Sequence, residues 1–358
     1  MRKLTEKTII KKQAIRHLWF FVTERCNLHC SYCFYKHRTQ NTSIDLEHIP
    51  LIFSCFEKAC NAKFVISGGE ALMNWPKTQQ IIHYLRSIDR HKYILLQTNA
   101  TLLDAEKIEY LAKNRVHIEI GLDGTVNSNI HRKGLAPHIS RIEKNIRLAH
   151  RSNINIHATM TVCPDQTKKM YENFIYLLSL NIKKIEVTPA AFTNWKRADI
   201  YDFKKNYIKI LKFAINNRIT KVLGTEYDEP LKESSIDIIL LPDGTILTNW
   251  ALLSLTRKLK SAYSMFGITK NRLMVNNNCA IHSFAINKTG RNNTKHTTYR
   301  EISNYYVKLA WNSFGPKEWK KSFSCYSEIC VFLKRSHEKL LMIFKNRGKL
   351  SHTKKVLS

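Results

Sequence analysis

The sequence predicts an α/β protein, a partial (β/α)6, TIM-like barrel with a small C-terminal extension. Strand-like and helix-like hydrophobic periods alternate six times before about position 225. That rhythm then stops. The 358 residues, 44% of them apolar, suffice for one large domain and a smaller one.

The first strand-like run, His17–Val22, leads directly into three crowded cysteines, Cys26, Cys30 and Cys33. Helical period follows over 46–62, with Ile49, Ile52, Phe53 and Phe56 apolar, and then a short strand, Phe64–Ile66, ends in Gly68-Gly69. The alternation continues through helix 77–90, strand 93–97, helix 104–114, strand 116–120, helix 137–152, strand 154–162, helix 168–180, strand 184–188 and helix 201–218. Strands alternating with helices of this length imply a parallel sheet, and one that curls towards a barrel carries its reactive loops at the strands' C-terminal ends. Beyond 225, residues 236–241 and 245–248 read as a hairpin around Pro242-Asp243-Gly244. Residues 256–300 are polar and weakly periodic, and the tail after Arg347 is basic. The expected division is a core over 1–225, an extension over 226–345 and a tail over 346–358.

Composition narrows the function. Against 28 Asp and Glu stand 58 Lys and Arg, a net charge of +30 that attracts anions. The basic residues are spread along the chain, often on the polar faces of helix-like segments, which favours a solvated surface over a nucleic-acid groove. No apolar stretch is long enough to span a membrane, and the start of the chain lacks the apolar run of a secretory signal, so the expected location is the cytoplasm. Nine cysteines, three of them within positions 26–33, suit a reduced compartment and a metal site better than a disulfide framework.

Cys26, Cys30 and Cys33 are spaced to wrap a cubane within one loop, and three thiolates on four irons leave one iron open to an exogenous chelator. One strand–helix unit later, Gly68 and Gly69 let backbone approach a ligand, and Glu70 offers a carboxylate to an ammonium group. The CxxxCxxC spacing, with Tyr32 before its last cysteine, resembles the signature of the radical S-adenosylmethionine superfamily, and the resemblance covers roughly residues 15–220. It implies a [4Fe–4S] cluster on Cys26, Cys30 and Cys33, and S-adenosylmethionine chelated to the open iron. Gly68, Gly69 and Glu70 match that family's Gly-Gly-Glu element, which contacts the methionine amino group; Ala71 replaces the usual proline. Thr98-Asn99-Ala100 is similar to its Thr-Asn-Gly, and Gly121–Gly124 to its Ser-Leu-Asp-Gly, without the serine. Asp123 is accordingly a candidate near cofactor or substrate, or an Asp-Gly turn. Thr161 is a candidate for cofactor contact, and Cys163 is a catalytic thiol or a packed one.

Residues 241–250 resemble the hairpin that opens the auxiliary-cluster (SPASM or twitch-like) extension of peptide-modifying members, with Asn249-Trp250 where a cysteine usually follows. Cys279, Cys325 and Cys330 could hold one auxiliary iron–sulfur cluster, supply a hydrogen-donating thiol, or be packed. Cys55 and Cys60 read as structural thiols, and His29 as a side chain outside the coordination sphere. The resemblance implies reductive cleavage of the cofactor to a 5′-deoxyadenosyl radical that modifies a peptide or protein residue by epimerisation, cross-linking or oxidation. A flavodoxin or ferredoxin-like protein would supply the electron. Modification of RNA or a nucleotide, and a non-catalytic iron–sulfur or nucleic-acid-binding protein, are the alternatives.

Overall fold

The computed structural model describes residues 14–35, 37–38, 42–55, 59–182, 184–217, 219, 223–224, 235–248, 250–254, 266–269, 272–275, 307–313 and 315–336. Its strands are β1 (Ala14–Phe21), β2 (Lys63–Ser67), β3 (Ile94–Thr98), β4 (His117–Gly121), β5 (Ile156–Val162), β6 (Lys184–Pro189), β7 (Leu223–Gly224), β8 (Ser235–Leu240), β9 (Thr245–Leu247), β10 (Phe266–Thr269) and β11 (Arg272–Val275). They form one sheet in the order β11-β10-β9-β8-β1-β2-β3-β4-β5-β6-β7. Every pair from β8 to β7 is parallel, and β8 to β11 form an antiparallel meander. Among the described residues the end strands do not pair with each other, so the barrel stays open.

The expected hairpin is β8–β9, with Leu240 opposite Ile246. Its first strand also runs parallel to β1, with Leu18 opposite Ile238, so the C-terminal part extends the same sheet. The weakly periodic stretch 256–300 contributes β10 and β11 to that extension.

Helices α1 (His48–Cys55), α2 (Trp75–Ile88), α3 (Ala105–Lys113), α4 (Ile139–Arg151), α5 (Met170–Ser179) and α6 (Arg197–Asn216) follow the strands, and residues 307–313 (α7) and 319–336 (α8) are also helical. Asp104 starts α3 by accepting the Lys107 N–H at 2.9 Å, a side-chain cap for an otherwise unpaired donor. Two expected helices differ in extent. The 46–62 period is carried by α1 and a separate turn at Ala59–Asn61, and α5 is preceded by a 3-10 turn over Pro164–Lys169. The side chains of Cys55 and Cys60 lie outside the described residues, as does the 346–358 tail.

In β4, β5 and β6 buried apolar residues alternate with partly exposed polar ones. Ile118, Ile120, Ile156, Ala158, Met160 and Ile185 pack into the main core with the helices. The opposite, inner face carries a polar ladder. Ser67 donates to Gln97 at 3.0 Å, while Gln97 at 2.9 Å and Thr159 at 2.8 Å both donate to Glu119. This satisfies polar groups that an open interior leaves between protein and water.

Trp311 on α7 is fully buried, with ring centroids 5.3 Å from Phe192, 5.6 Å from Phe323 and 5.3 Å from Tyr326. Glu328 on α8 accepts from Arg197 and, at 2.7 Å, from Lys204 on α6. Among the described residues no helix is long and apolar enough to cross a membrane. Because large-to-small core substitution leaves a cavity, Trp311→Ala is expected to cost about 3–5 kcal/mol in urea unfolding. A loss below about 1 kcal/mol would show that α7 does not share the core.

Candidate metal centre

The cysteine loop following β1 is pinned from two sides. On one, Gly69 N–H donates to Thr23 O at 2.8 Å and Glu70 N–H to Arg25 O at 2.7 Å. A Cβ on Gly69 would fall 2.2 Å from Arg25 O, and one on Gly68, whose φ is +145°, 2.5 Å from Thr23 O. The close approach that the two glycines permit is therefore made by the cysteine loop itself. On the other side, Ser31 N–H donates to His131 O at 2.8 Å and His29 N–H to Lys133 O at 3.1 Å. His29 is exposed.

Glu70, expected to offer its carboxylate to an ammonium group, is bonded within the protein. It is 1% exposed and accepts from Leu72 N–H at 3.0 Å, Thr98 hydroxyl at 2.7 Å and Asn99 N–H at 2.7 Å. Burial pushes its carboxyl up, and these three bonds pull it back. Its carboxylate fastens the loop after β3 to the loop after β2. The Thr98 hydroxyl is spent on that bond, so it points inward. Ala100 sits at φ +60°, the left-handed region, which explains why glycine suits this position in the motif it resembles.

Asp123 forms neither a bare turn nor an open catalytic carboxylate. It is 4% exposed, and its Oδ1 accepts from Arg132 Nη2 and Thr161 N–H, both at 2.9 Å, while Oδ2 accepts from the Tyr32 hydroxyl at 2.7 Å. The Arg132 guanidinium lies over the Tyr32 ring at 5.4 Å. Burial pushes the Tyr32 phenol well above its usual value. Thr161 thus enters the site through its backbone N–H. Gly121 leaves room for Arg132, since a Cβ there would sit 2.5 Å from Nη1.

Cys26, Cys30 and Cys33 are all partly exposed. Burial pushes the Cys30 thiol up to about 11, and charge on Cys33 and Cys26 pushes the same way while Arg132 opposes it. Asn99 Nδ2 approaches Cys26 Sγ at 4.0 Å and Arg38 Nη1 approaches Cys33 Sγ at 3.8 Å, donors of the kind that tune cluster potentials. The Nε of Arg132 is buried and bonded to nothing. An orphan donor on the guanidinium that covers Tyr32, between Cys30 and Cys33, fits an anionic group, and both a thiolate-ligated cluster and a carboxylate-bearing cofactor are such groups. Cys163 is 2% exposed at the end of β5, its thiol pushed up by burial, and it lies near Cys30 and Asp123.

Of the C-terminal cysteines, Cys325 and Cys330 are described, and both lie on α8. Cys325 and Cys330 are five apart on α8, turned by about 140° from each other. Cys325 is in the core and Cys330 packs against it. Cys279 lies outside the described residues. Arg132 and Arg38 escaped the sequence reading, for each is one basic residue among 58 and no motif marks it. Removing one partner of a buried pair strands the other charge, so Asp123→Asn is expected to cost about 3–5 kcal/mol in anaerobic guanidinium unfolding. Gly69→Ala is expected to lose most of the iron that the parent takes up on reconstitution, as measured by iron and sulfide content.

Residues 20–178 match the family model of the Radical SAM superfamily. The radical SAM cyclopropyl synthase TigE of Paramaledivibacter caminithermalis is 23% identical over 252 residues, covering 63% of this chain and 52% of that one. A probable GTP 3′,8-cyclase of Methanocaldococcus jannaschii is 33% identical over 123 residues, 33% of this chain and 40% of that one. The solved structure of native anSMEcpe with bound AdoMet and Cp18Cys peptide superposes with a TM-score of 0.58 at 14% identity, covering 93% of this chain and 99% of that one, a likeness of fold. The chain spans 61%, 52% and 55% of the lengths of the first curated relatives it matches. The superfamily uses a [4Fe–4S] cluster and S-adenosylmethionine. The cysteine loop lies within residues 20–178, the segment that matches the Radical SAM superfamily.

Proposed function

We propose that the chain is a radical SAM enzyme that modifies a residue of a peptide or protein in the cytoplasm. The observation that carries the reading is one loop with three partly exposed cysteines, pinned by Gly69, Glu70 and His131, with the guanidinium of Arg132, its Nε buried and unpartnered, over Tyr32 between the last two cysteines. On this reading Cys26, Cys30 and Cys33 hold the cluster, which with S-adenosylmethionine supplies the radical chemistry when both are bound. Arg132 meets the cofactor's carboxylate or the cluster's charge, and Asn99 and Arg38 donate to ligand sulfurs. Asp123 and Glu70 are positioning residues, since their carboxylates are engaged within the protein. Residues 1–225 are the catalytic core and 226–345 the extension.

The inner wall favours a peptide over RNA. Glu119 and Glu186 stand on the partly exposed face of β4 and β6, where a polyanion would be repelled despite the net charge of +30. The likeness in fold to anSMEcpe, solved with a peptide bound, supports the same choice. A nucleotide substrate is the second reading, supported by the similarity to a probable GTP 3′,8-cyclase. Either reaction needs a low-potential electron donor of the flavodoxin or ferredoxin kind.

The test is production of 5′-deoxyadenosine by anaerobically reconstituted, dithionite-reduced chain given S-adenosylmethionine and, in parallel, a peptide library, RNA or GTP. The parent is expected to form 5′-deoxyadenosine, with the peptide arm about 10-fold faster and peptide masses altered, and Cys30→Ala to form none. Stimulation by RNA or GTP alone would reassign the substrate. No 5′-deoxyadenosine in any arm, from protein with a full cluster, would leave a non-catalytic iron–sulfur protein.

A further inference from the structure

A second group of metal-ligating side chains lies at the mouth of β5, outside the cysteine loop. One ligand atom each from His131, Cys163 and Asp165 all fall within 4.8 Å of one another. We propose that these three residues bind a divalent transition-metal ion of borderline softness, zinc or ferrous iron, distinct from any cluster on Cys26, Cys30 and Cys33.

The donor set selects the ion. An imidazole, a thiolate and a carboxylate together suit zinc or ferrous iron, whereas calcium and magnesium take oxygen ligands alone. Three protein ligands leave a fourth position for water. The imidazole is already oriented for this role. His131 Nδ1 lies 2.8 Å from Ser31 Oγ, which leaves Nε2, 2.9 and 3.0 Å from the two Asp165 oxygens, as the atom that faces the group. Such outer partners commonly fix the ring of a ligating histidine.

An independent observation points to a missing ligand. Gln166 is 8% exposed and its Oε1 has no partner, while its Nε2 reaches Asp165 Oδ2 at 3.4 Å. A hydrogen-bond acceptor buried on the side chain that contacts Asp165 is what a water on the ion would satisfy. A plain His131–Asp165 pair next to a packed thiol explains the short contacts but not this orphan.

Binding breaks the Cys163 S–H bond, forms a sulfur–metal bond and releases one proton to solvent. The thiolate and carboxylate then balance the ion's two positive charges. Because Ser31 N–H donates to His131 O, the ion would clip the loop carrying Cys30 and Cys33 to the end of β5. The inference does not depend on the enzyme's substrate.

The test uses the full chain with Cys26, Cys30 and Cys33 all replaced by Ala, so that those thiols cannot take the probe. Zinc titrated against a chromophoric chelator is expected to bind at one ion per chain. Adding Cys163→Ser should weaken it by about 100-fold or more, and Ser31→Ala by about 10-fold. Asp165, whose side chain is 56% exposed, gives the fold control: Asp165→Asn should weaken zinc without moving the unfolding midpoint of the metal-free protein. The unsubstituted, cluster-loaded protein provides a second readout, one zinc per chain alongside the cluster iron, lost in Cys163→Ser while the iron stays. No zinc in either background, or equal zinc with and without Cys163, overturns the proposal.

Discussion

One buried carboxylate holds the cysteine loop to the barrel. Asp123 joins four segments: the loop after β4 that carries it, Tyr32 between the second and third cysteines, Arg132 in the loop before α4, and the Thr161 N–H of β5. Taking an ion pair out of water costs several kcal/mol per ion, and the cost is offset here because both carboxylate oxygens are bonded and an aromatic ring covers the guanidinium. The result is a thiol-bearing loop whose position is set by protein bonds. Glu70 does the same work one strand away, tying the loops after β2 and β3 together beneath Asn99, which reaches Cys26.

The molecule's two electrostatic faces follow from strand periodicity. Parallel strands covered by helices on the outside place Ile118, Ile120 and Met160 in the core, and their odd-numbered neighbours necessarily point into the open barrel. Those neighbours include Glu119, held by Gln97 and Thr159, so the interior is polar and partly acidic while the chain as a whole is strongly basic. The surface charge therefore governs what approaches, and the inner ladder governs what fits.

The alternation of strands and helices, the β8–β9 hairpin and the cysteine triplet were legible because each depends on local period or spacing. What was not legible depends on long-range pairing. Nothing local tells that Ile238 lies beside Leu18, which brings β8 parallel to β1, or that Arg132 turns inward among dozens of solvated basic residues. Glu70 and Asp123 were found as residues, but their orientation was not, since a carboxylate in a motif reads the same whether it faces a ligand or its own backbone. The signal for the inner ladder was present in the strict alternation of His117, Glu119 and Gly121 with Ile118 and Ile120.

On the reading proposed above, three thiolates from one loop hold a four-iron cluster with one iron left open to S-adenosylmethionine. The most direct measurement is the electron paramagnetic resonance spectrum of the reduced, anaerobically reconstituted protein, recorded with and without S-adenosylmethionine. A [4Fe–4S] signal that shifts when the cofactor is added is expected. A signal unchanged by saturating cofactor, or the absence of any four-iron signal from protein that has taken up iron and sulfide, would contradict it.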